Sequence, residues 1–136
     1  MILHASCVAW QGRGALILGP SGSGKSTLAL ELMAFGAMLV ADDRTEVTEA
    51  EDGLWAQAPD AIAGLIEARH VGLLRADHAP ARLVLVVDLG QEETHRLPQN
   101  RHRSVHGHDL PLVLGRRREH LATACLLYTS PSPRDS

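Results

Sequence analysis

The chain has 136 residues, of which 45% are hydrophobic, and its formal net charge is −3. This length allows one domain with a hydrophobic core but not two. The charge gives no basic field for nucleic acid and no apolar run is long enough to cross a bilayer, so we expect a cytoplasmic protein that binds neither nucleic acid nor membrane.

Apolar periodicity predicts alternating strands and helices, as in a single α/β domain with a mixed β-sheet and flanking helices. An alternating pattern predicts a strand over residues 2–10, and a short apolar strand follows at 15–19. The later predicted elements, in chain order, are a strand over 37–41, a hairpin over 45–57 that turns at Asp52–Gly53, a buried strand over 82–89, a polar loop over 91–109, a strand over 110–114 and a helix that begins at 116.

One helix is predicted over residues 25–35, directly after a glycine-rich loop. Leu28, Leu32 and Phe35 recur at helical spacing and are expected to form its buried face. Gly36 follows the last periodic residue and is the expected C-cap.

The last twelve residues differ in character from the rest of the chain. The sequence CLLYTSPSPRDS, residues 125–136, resembles the translation of a sequencing adapter. We therefore expect a domain over 1–124 that lacks its natural C-terminal end, followed by a non-native or disordered tail. Cys7 is then the one native cysteine. A single cysteine allows no intrachain disulfide, which suits a reducing compartment. Cys7 is expected to be a small core residue.

The segment GPSGSGKS, residues 19–26, matches the phosphate-loop pattern G-x-x-x-x-G-K-[ST] in full. Glycines allow the backbone N–H groups to turn toward phosphate oxygens, and the following helix directs its positive end at the same anion. Lys25, the only lysine, adds a point charge, and Ser26 offers a hydroxyl to Mg²⁺. The predicted nucleotide-binding residues are Gly19, Pro20, Ser21, Gly22, Ser23, Gly24, Lys25, Ser26 and Thr27.

Three acidic positions compete for roles beside this loop: the pair Asp42 and Asp43, then Glu67, then Asp88. In an ordinary P-loop NTPase the metal-side aspartate ends a strand such as LVLVVD, which favours Asp88. A charged pair at a strand end is usually only solvated. The residues alone leave this choice open.

The order of the motifs resembles that of one family. LHAS, GALILGPSGSGKST, LVADDRTEV, GLIEARHVGLL and HRLP follow one another between residues 3 and 98. This series resembles the catalytic domain of the HPr serine kinase/phosphorylase family, in the short form of alphaproteobacterial members that lack an N-terminal domain. The resemblance implies a nucleotide-binding core like that of phosphoenolpyruvate carboxykinase.

The resemblance also implies roles for the candidate residues. Asp43 corresponds to the family aspartate that acts as base on the acceptor serine, and Asp42 lies beside it. Glu67 corresponds to a second Mg²⁺ ligand after Ser26, in the motif that also contains Arg69. His4 corresponds to a catalytic histidine and Arg96 to an arginine of the site. ATP and Mg²⁺ are the implied cofactors, HPr is the implied protein substrate, and the family tends toward hexamers.

This sequence departs from the family pattern at two places. Family members more often have glycine where His70 stands, so the backbone there is expected to suit glycine better than histidine. The region after Arg96 matches poorly, so only the kinase activity is carried over from the resemblance, and the reverse phosphorolysis stays open.

Two other functions remain open. Transporter ATPase domains carry the same phosphate loop, although we find no LSGGQ-like segment in this chain. A nucleotide-binding regulatory module without transfer activity is the second alternative. Outside these readings, the histidines at 102, 106 and 108 suggest a metal site only weakly, because arginines flank them, and residues 116–118 are expected to be a solvated helix start.

Overall fold

The computed structural model describes residues 1–96 and 100–116, in which a mixed β-sheet carries one α-helix. The predicted helix beyond 116 and the tail lie outside the described residues. The elements are β1 (Ile2–Leu3), β2 (Ser6–Trp10), β3 (Arg13–Leu18), α1 (Lys25–Ala34), β4 (Met38–Ala41), β5 (Thr45–Ala50), β6 (Gly53–Gln57), a 3-10 helix (Asp60–Ile62), β7 (Leu65–Ala68), β8 (Gly72–Arg75), β9 (Ala81–Asp88), β10 (His102–Val105) and β11 (His108–Leu114).

The sheet is organised around β9. Strand β3 runs parallel to β9 on one side, while β6 (antiparallel) and β11 (parallel) share its other side. The order across the main path is β1-β5-β6-β9-β3-β2-β4, and β7 and β8 form a separate hairpin. The predicted single α/β domain with a mixed sheet is confirmed.

Strand direction brings three chain segments to one edge of the sheet. The loop at Gly19 follows the end of β3, and Asp42 follows the end of β4. Strand β2 is antiparallel to both neighbours, with Ser6 opposite Ile17 and Cys7 opposite Ala41, so its beginning lies at that same edge. The residues around His4 therefore meet the phosphate loop and the aspartate pair.

Helix α1 covers one face of the sheet. Leu28 and Leu32 are buried there against β2, β3 and β9, whereas Phe35 is 52% exposed, so its predicted burial is wrong. The helix ends at Ala34, so Phe35 is not held on the face that packs against the sheet. Gly36 has φ 99°, its N–H donates to the Met33 carbonyl at 2.9 Å, and the Ala37 N–H donates to the Leu32 carbonyl at 3.1 Å. The expected glycine cap is confirmed as a Schellman motif.

Two further predictions need correction. The strand over 2–10 is divided at His4–Ala5 into β1 and β2, which pair with different partners. The polar loop over 91–109 contains β10, in which His102, Arg103 and Ser104 are exposed and only Val105 is buried in the core. Its high charge concealed a strand that is half exposed. The hairpin over 45–57 is confirmed, but its connection is Glu51–Asp52, one residue before the predicted Asp52–Gly53. Within residues 1–96 and 100–116, no helix is both long and apolar enough to span a membrane.

The turn between β7 and β8 places His70 in a conformation that favours glycine. His70 has φ 67°, and the Val71 N–H donates to the Ala68 carbonyl at 2.9 Å across the turn. We expect His70→Gly to raise the free energy of unfolding by about 0.5–1 kcal/mol, because the side chain is exposed and L residues are strained at this φ. Urea unfolding measures this, with His70→Ala as the control that keeps the strain. No gain for glycine over alanine contradicts the prediction.

An ion pair joins Glu93 to Arg101 on the chain that follows β9. Arg101 Nε and Nη2 donate to the Glu93 carboxylate at 2.9 and 3.1 Å, and the His95 N–H donates to it at 3.1 Å. The hydrogen bond from Arg101 lowers the pKa of Glu93 to about 2, from the 4.5 of an unperturbed side chain.

Because the folded pKa is depressed, this pair stabilises the protein above pH 4.5 and its contribution is lost as the pH falls through about 2. Glu93→Gln should therefore lower the free energy of unfolding at neutral pH, and the difference from the unaltered protein should shrink between those two values. Urea unfolding at several pH values tests this, and a difference that is independent of pH contradicts it.

Candidate active site

The phosphate loop has the shape that its glycines predict. Gly22 and Gly24 have φ of 82° and 98°, and α1 begins immediately afterwards at Lys25. The Ser23 N–H donates to the Pro20 carbonyl at 3.1 Å, which closes the turn. The loop therefore presents free backbone N–H groups and the positive end of a ten-residue helix to the same space.

Lys25 is largely buried at the base of this loop. Its Nζ donates to the Gly19 carbonyl at 2.8 Å and the Pro20 carbonyl at 3.2 Å, and only 7% of the residue is exposed. These bonds keep the ammonium group beside the cleft wall that it helps to form. The site thus holds a positive charge at the position where the motif predicts one.

Asp42 connects three elements through one buried carboxylate. Its Oδ1 accepts hydrogen bonds from Ser6 Oγ and Ser26 Oγ, both at 2.7 Å, and its Oδ2 accepts from the Glu67 backbone N–H at 3.1 Å. Asp42 is 6% exposed. Burial of a carboxylate is tolerated when it accepts several hydrogen bonds, as it does here.

Asp43 points away from Asp42 and contacts His4. Asp43 Oδ1 lies 2.7 Å from His4 Nε2, and more than half of each side chain is exposed. An ionised carboxylate only accepts, so the hydrogen bond requires the proton on Nε2. The two successive aspartates therefore have separate surroundings: Asp42 faces the phosphate-loop serine, and Asp43 faces solvent and histidine.

These groups surround one cleft of about 350 Å³. Its walls combine the loop with both acidic motifs and are formed by His4, Ser21, Gly22, Gly24, Lys25, Ser26, Thr27, Asp43, Glu67 and Arg69. Asp42 lies behind the wall, hydrogen-bonded to Ser26. Arg96 is exposed and is not among the lining residues of the part described, so the structure does not bring it to the cleft.

A second cavity of about 360 Å³ shares the histidine–aspartate pair with this cleft. It is lined by Ile2, His4, Asp43 and Arg44. His4 and Asp43 therefore line both the phosphate-loop cleft and this groove.

Asp88 ends β9 beside the phosphate-loop strand, opposite Leu18. Its Oδ1 accepts from the Gly90 N–H and its Oδ2 from Gln91 Nε2, both at 2.8 Å, and Arg103 lies 3.7 Å from Oδ2. Asp88 does not line the cleft in the described region. Its carboxylate stabilises the turn after β9, while Asp42 holds the hydroxyl of the loop serine.

The other residues singled out in the sequence, Cys7 and the histidines at 102, 106 and 108, are not among the residues that line the cleft in the described part of the chain. Cys7 is fully buried, and burial raises the pKa of its thiol, so the expected core role is confirmed. His106 and His108 lie 3.7 and 3.3 Å from the Glu49 carboxylate, while His102 is exposed on β10. The sequence analysis did not single out Ser6, because a lone serine gives no sign in sequence of its distant partner Asp42.

Together the fold and the cleft define an α/β domain in which a glycine-rich loop and a histidine–aspartate pair line one cleft. The chain matches the HPr Serine kinase C-terminal domain family over residues 1–80. It therefore belongs to that family.

Individual relatives agree with this assignment. The chain is 47% identical over 72 residues to the HPr kinase/phosphorylase of Caldicellulosiruptor bescii, which is 52% of this chain and 23% of that protein. It is also 47% identical over 73 residues to the HPr kinase/phosphorylase of Caldanaerobacter subterraneus subsp. tengcongensis, 53% of this chain and 24% of that protein. The chain thus matches about a quarter of the length of these relatives.

The fold has a close counterpart among solved structures. The Hpr(Ser) kinase/phosphatase from Coxiella burnetii superposes with a TM-score of 0.80 at 23% sequence identity, covering 94% of this chain and 88% of that one. At this identity the match establishes the fold.

Proposed function

We propose that this chain is the catalytic domain of an ATP-dependent protein serine kinase that phosphorylates a serine of the phosphocarrier protein HPr. The observation that carries the proposal is that the phosphate loop and the His4–Asp43 pair face one cleft. The names of the relatives support HPr as the acceptor. By family resemblance, we also propose a cytoplasmic location and a hexameric assembly.

Residues 19–27 would hold the phosphates of ATP. The loop N–H groups and the helix terminus favour an anion. Lys25 Nζ is bonded to two neutral carbonyls, and a phosphate oxygen is a stronger, charged acceptor for the same ammonium group. Phosphate binding therefore gains a charge-assisted bond without requiring Lys25 to leave the cleft wall.

The residues beside Ser26 suit Mg²⁺, which prefers oxygen ligands. The Ser26 hydroxyl donates a hydrogen bond to Asp42, so the lone pairs of its oxygen remain available toward the cleft. Glu67 lines the same cleft, and its carboxylate would supply a second oxygen ligand. When bound, Mg²⁺ would neutralise charge on the phosphates of ATP. Ser26 and Glu67 would thus hold the ion directly, and Asp42 would orient Ser26.

Asp43 would accept the proton of the acceptor serine. As the serine oxygen forms its bond to the γ-phosphorus, the bond from that phosphorus to the bridging oxygen of ADP breaks, and the serine proton passes to the carboxylate. Oδ1 contacts His4, so Oδ2 is the oxygen left to accept it. His4 would orient the carboxylate and stabilise its charge.

The groove beside Ile2 and Arg44 would admit the acceptor. It meets the phosphate cleft at His4 and Asp43, so a serine entering from that side approaches the base opposite the phosphate loop. Arg96 is retained as a proposed site residue on family resemblance, with a guanidinium suited to a phosphate group.

The test is direct phosphate transfer. The protein is incubated with Mg²⁺, purified HPr and ATP labelled at the γ-phosphate, and the label is located by mass spectrometry of HPr peptides. We expect phosphoserine on HPr. Label released only as free phosphate would reject the kinase and favour the transporter-type ATPase. Bound nucleotide without turnover would favour a regulatory module.

The position of Asp88 beside the loop strand is the one observation that favours the ATPase alternative. Its two oxygens already accept hydrogen bonds from the turn after β9. The kinase proposal is better supported because Asp42, not Asp88, contacts the hydroxyl of Ser26.

A further inference from the structure

Ser6 is a buried hydroxyl between the two aspartates. It is 0% exposed at the start of β2, and its Oγ donates to Asp42 Oδ1 at 2.7 Å. The same oxygen accepts a hydrogen bond from the Asp43 backbone N–H at 3.3 Å. One side chain is thus bonded to both residues of the pair.

These two bonds use the donor and acceptor capacity of a hydroxyl in a way that apolar side chains cannot. A serine has one proton to donate, and here Asp42 receives it, which leaves the oxygen lone pairs for the Asp43 N–H. The surrounding strand is apolar, with Ala5 and Cys7 fully buried on either side. Packing alone therefore gives no reason for a polar residue at this position.

The backbone at Asp43 needs such support. Asp43 has φ 67°, and the Arg44 N–H donates to the Asp42 carbonyl at 2.8 Å, so the three residues form a turn of γ type. Turns of this hand are rare and strained, and they persist only where neighbouring contacts fix them. The Ser6 hydroxyl is bonded to the N–H at the centre of the turn.

We infer that Ser6 is a positioning residue that fixes both aspartates of the kinase site: Asp42 against Ser26, and the Asp43 turn against His4. This inference rests on the proposed function, since it concerns where the base and the metal-side carboxylate stand. The same oxygen sets both directions, which explains how adjacent residues can point to different parts of the site.

Thr45 provides a matched control. It is also a fully buried hydroxyl near this edge of the sheet, and its Oγ1 donates to the Ala5 carbonyl at 2.9 Å. Among the described residues, no hydrogen bond joins Thr45 to either aspartate side chain. Thr45→Val therefore removes a buried hydrogen bond of similar environment and leaves the aspartate contacts in place.

Three variants separate the role of the hydroxyl from that of volume. Ser6→Ala removes the oxygen, Ser6→Cys fills the space with a weaker donor, and Thr45→Val is the control. The first measurement is amide hydrogen exchange of Asp43 by NMR in the protein alone. The second is Mn²⁺ affinity, by electron paramagnetic resonance with a non-hydrolysable ATP analogue. The third is kcat and KM for transfer to HPr.

We expect Ser6→Ala and Ser6→Cys each to speed exchange at the Asp43 amide about tenfold, to weaken Mn²⁺ binding about tenfold, and to lower kcat about 10–100-fold. Thr45→Val should change none of these beyond its effect on stability. Wild-type exchange and Mn²⁺ affinity in both Ser6 variants, or equal effects in Thr45→Val, would overturn the inference. Exchange and metal binding need no kinase activity, so failure of the proposed function is distinguishable from failure of this one.

Discussion

Asp43→Asn should lower the rate of phosphate transfer to HPr by about 10²–10⁴-fold, the range that a positioned general base contributes. Asparagine has nearly the same shape, tolerates the left-handed conformation at φ 67°, and can still accept a hydrogen bond from His4 Nε2. It cannot accept the serine proton. The substitution therefore removes basicity and preserves the turn. The measurement is the initial rate at saturating ATP and HPr.

Two observations make this prediction specific. ATP affinity should stay near that of the unaltered protein, because Asp43 lies across the cleft from the phosphate loop. Asp88→Asn serves as the control, since it neutralises another carboxylate near the loop whose oxygens are used by the turn after β9. A fully active Asp43→Asn protein would reject Asp43 as the base. Loss of activity only in Asp88→Asn would move the protein to the ATPase class.

Much of the site could be predicted because its signals are local in sequence. The phosphate loop needs glycines, a lysine and a serine at fixed spacing, and the strand before it and the helix after it confirm the context. Within β9, residues 83–87 are a continuous apolar run that is buried or half-buried on both faces, as the sequence pattern predicts. Local chemistry and burial agree in these segments.

Other features depend on contacts between distant residues. Ser6 and Asp42 are 36 positions apart, and only the antiparallel pairing of β2 with β4 brings them together. A lone serine carries no signal of its partner. Similarly, β10 is a strand because it pairs with β11, although its charged sequence is typical of a loop. Burial of Phe35 failed for the opposite reason, because periodicity does not show where a helix ends.

The different surroundings of the aspartate pair were also beyond the sequence. Adjacent residues on a strand point to opposite faces, but these two lie past the end of β4, in a turn whose shape is set by hydrogen bonds. The sequence therefore could not show which of the two aspartates accepts the hydrogen bond from Ser26. The structure assigns that contact to Asp42.

Asp42→Asn should weaken Mn²⁺ binding in the presence of an ATP analogue by about 10–100-fold, as loss of an outer contact to a metal ligand typically does. In the unaltered protein the Ser26 hydroxyl donates a hydrogen bond to Asp42 Oδ1, which directs the lone pairs of the serine oxygen toward the cleft. An amide has one acceptor oxygen for three donors, those of Ser6, Ser26 and the Glu67 backbone. At least one of these donors loses its partner, and the negative charge beside the ion is lost as well.

The same substitution should cost about 1–3 kcal/mol of unfolding free energy, because a donor is left unpaired in a buried place. Asp88→Asn is the matched control: the two carboxylates are 6% and 7% exposed, and each follows or ends a strand at this edge of the sheet. Both variants should lose stability in urea unfolding, but only Asp42→Asn should lose Mn²⁺ affinity in the resonance titration. The reverse pattern would assign the metal side to Asp88.

The contrast with Glu67 sharpens that test. Glu67 contacts Asp42 through its backbone N–H, while its side chain lines the cleft. Glu67→Gln keeps the backbone bond, so it should weaken Mn²⁺ binding without the loss of stability expected for Asp42→Asn. A metal ligand and the group that orients another ligand differ in this way: the first is exposed to the cleft and dispensable to folding, and the second is buried and needed for both. If Glu67→Gln destabilised the protein as much as Asp42→Asn, this division of roles would be wrong.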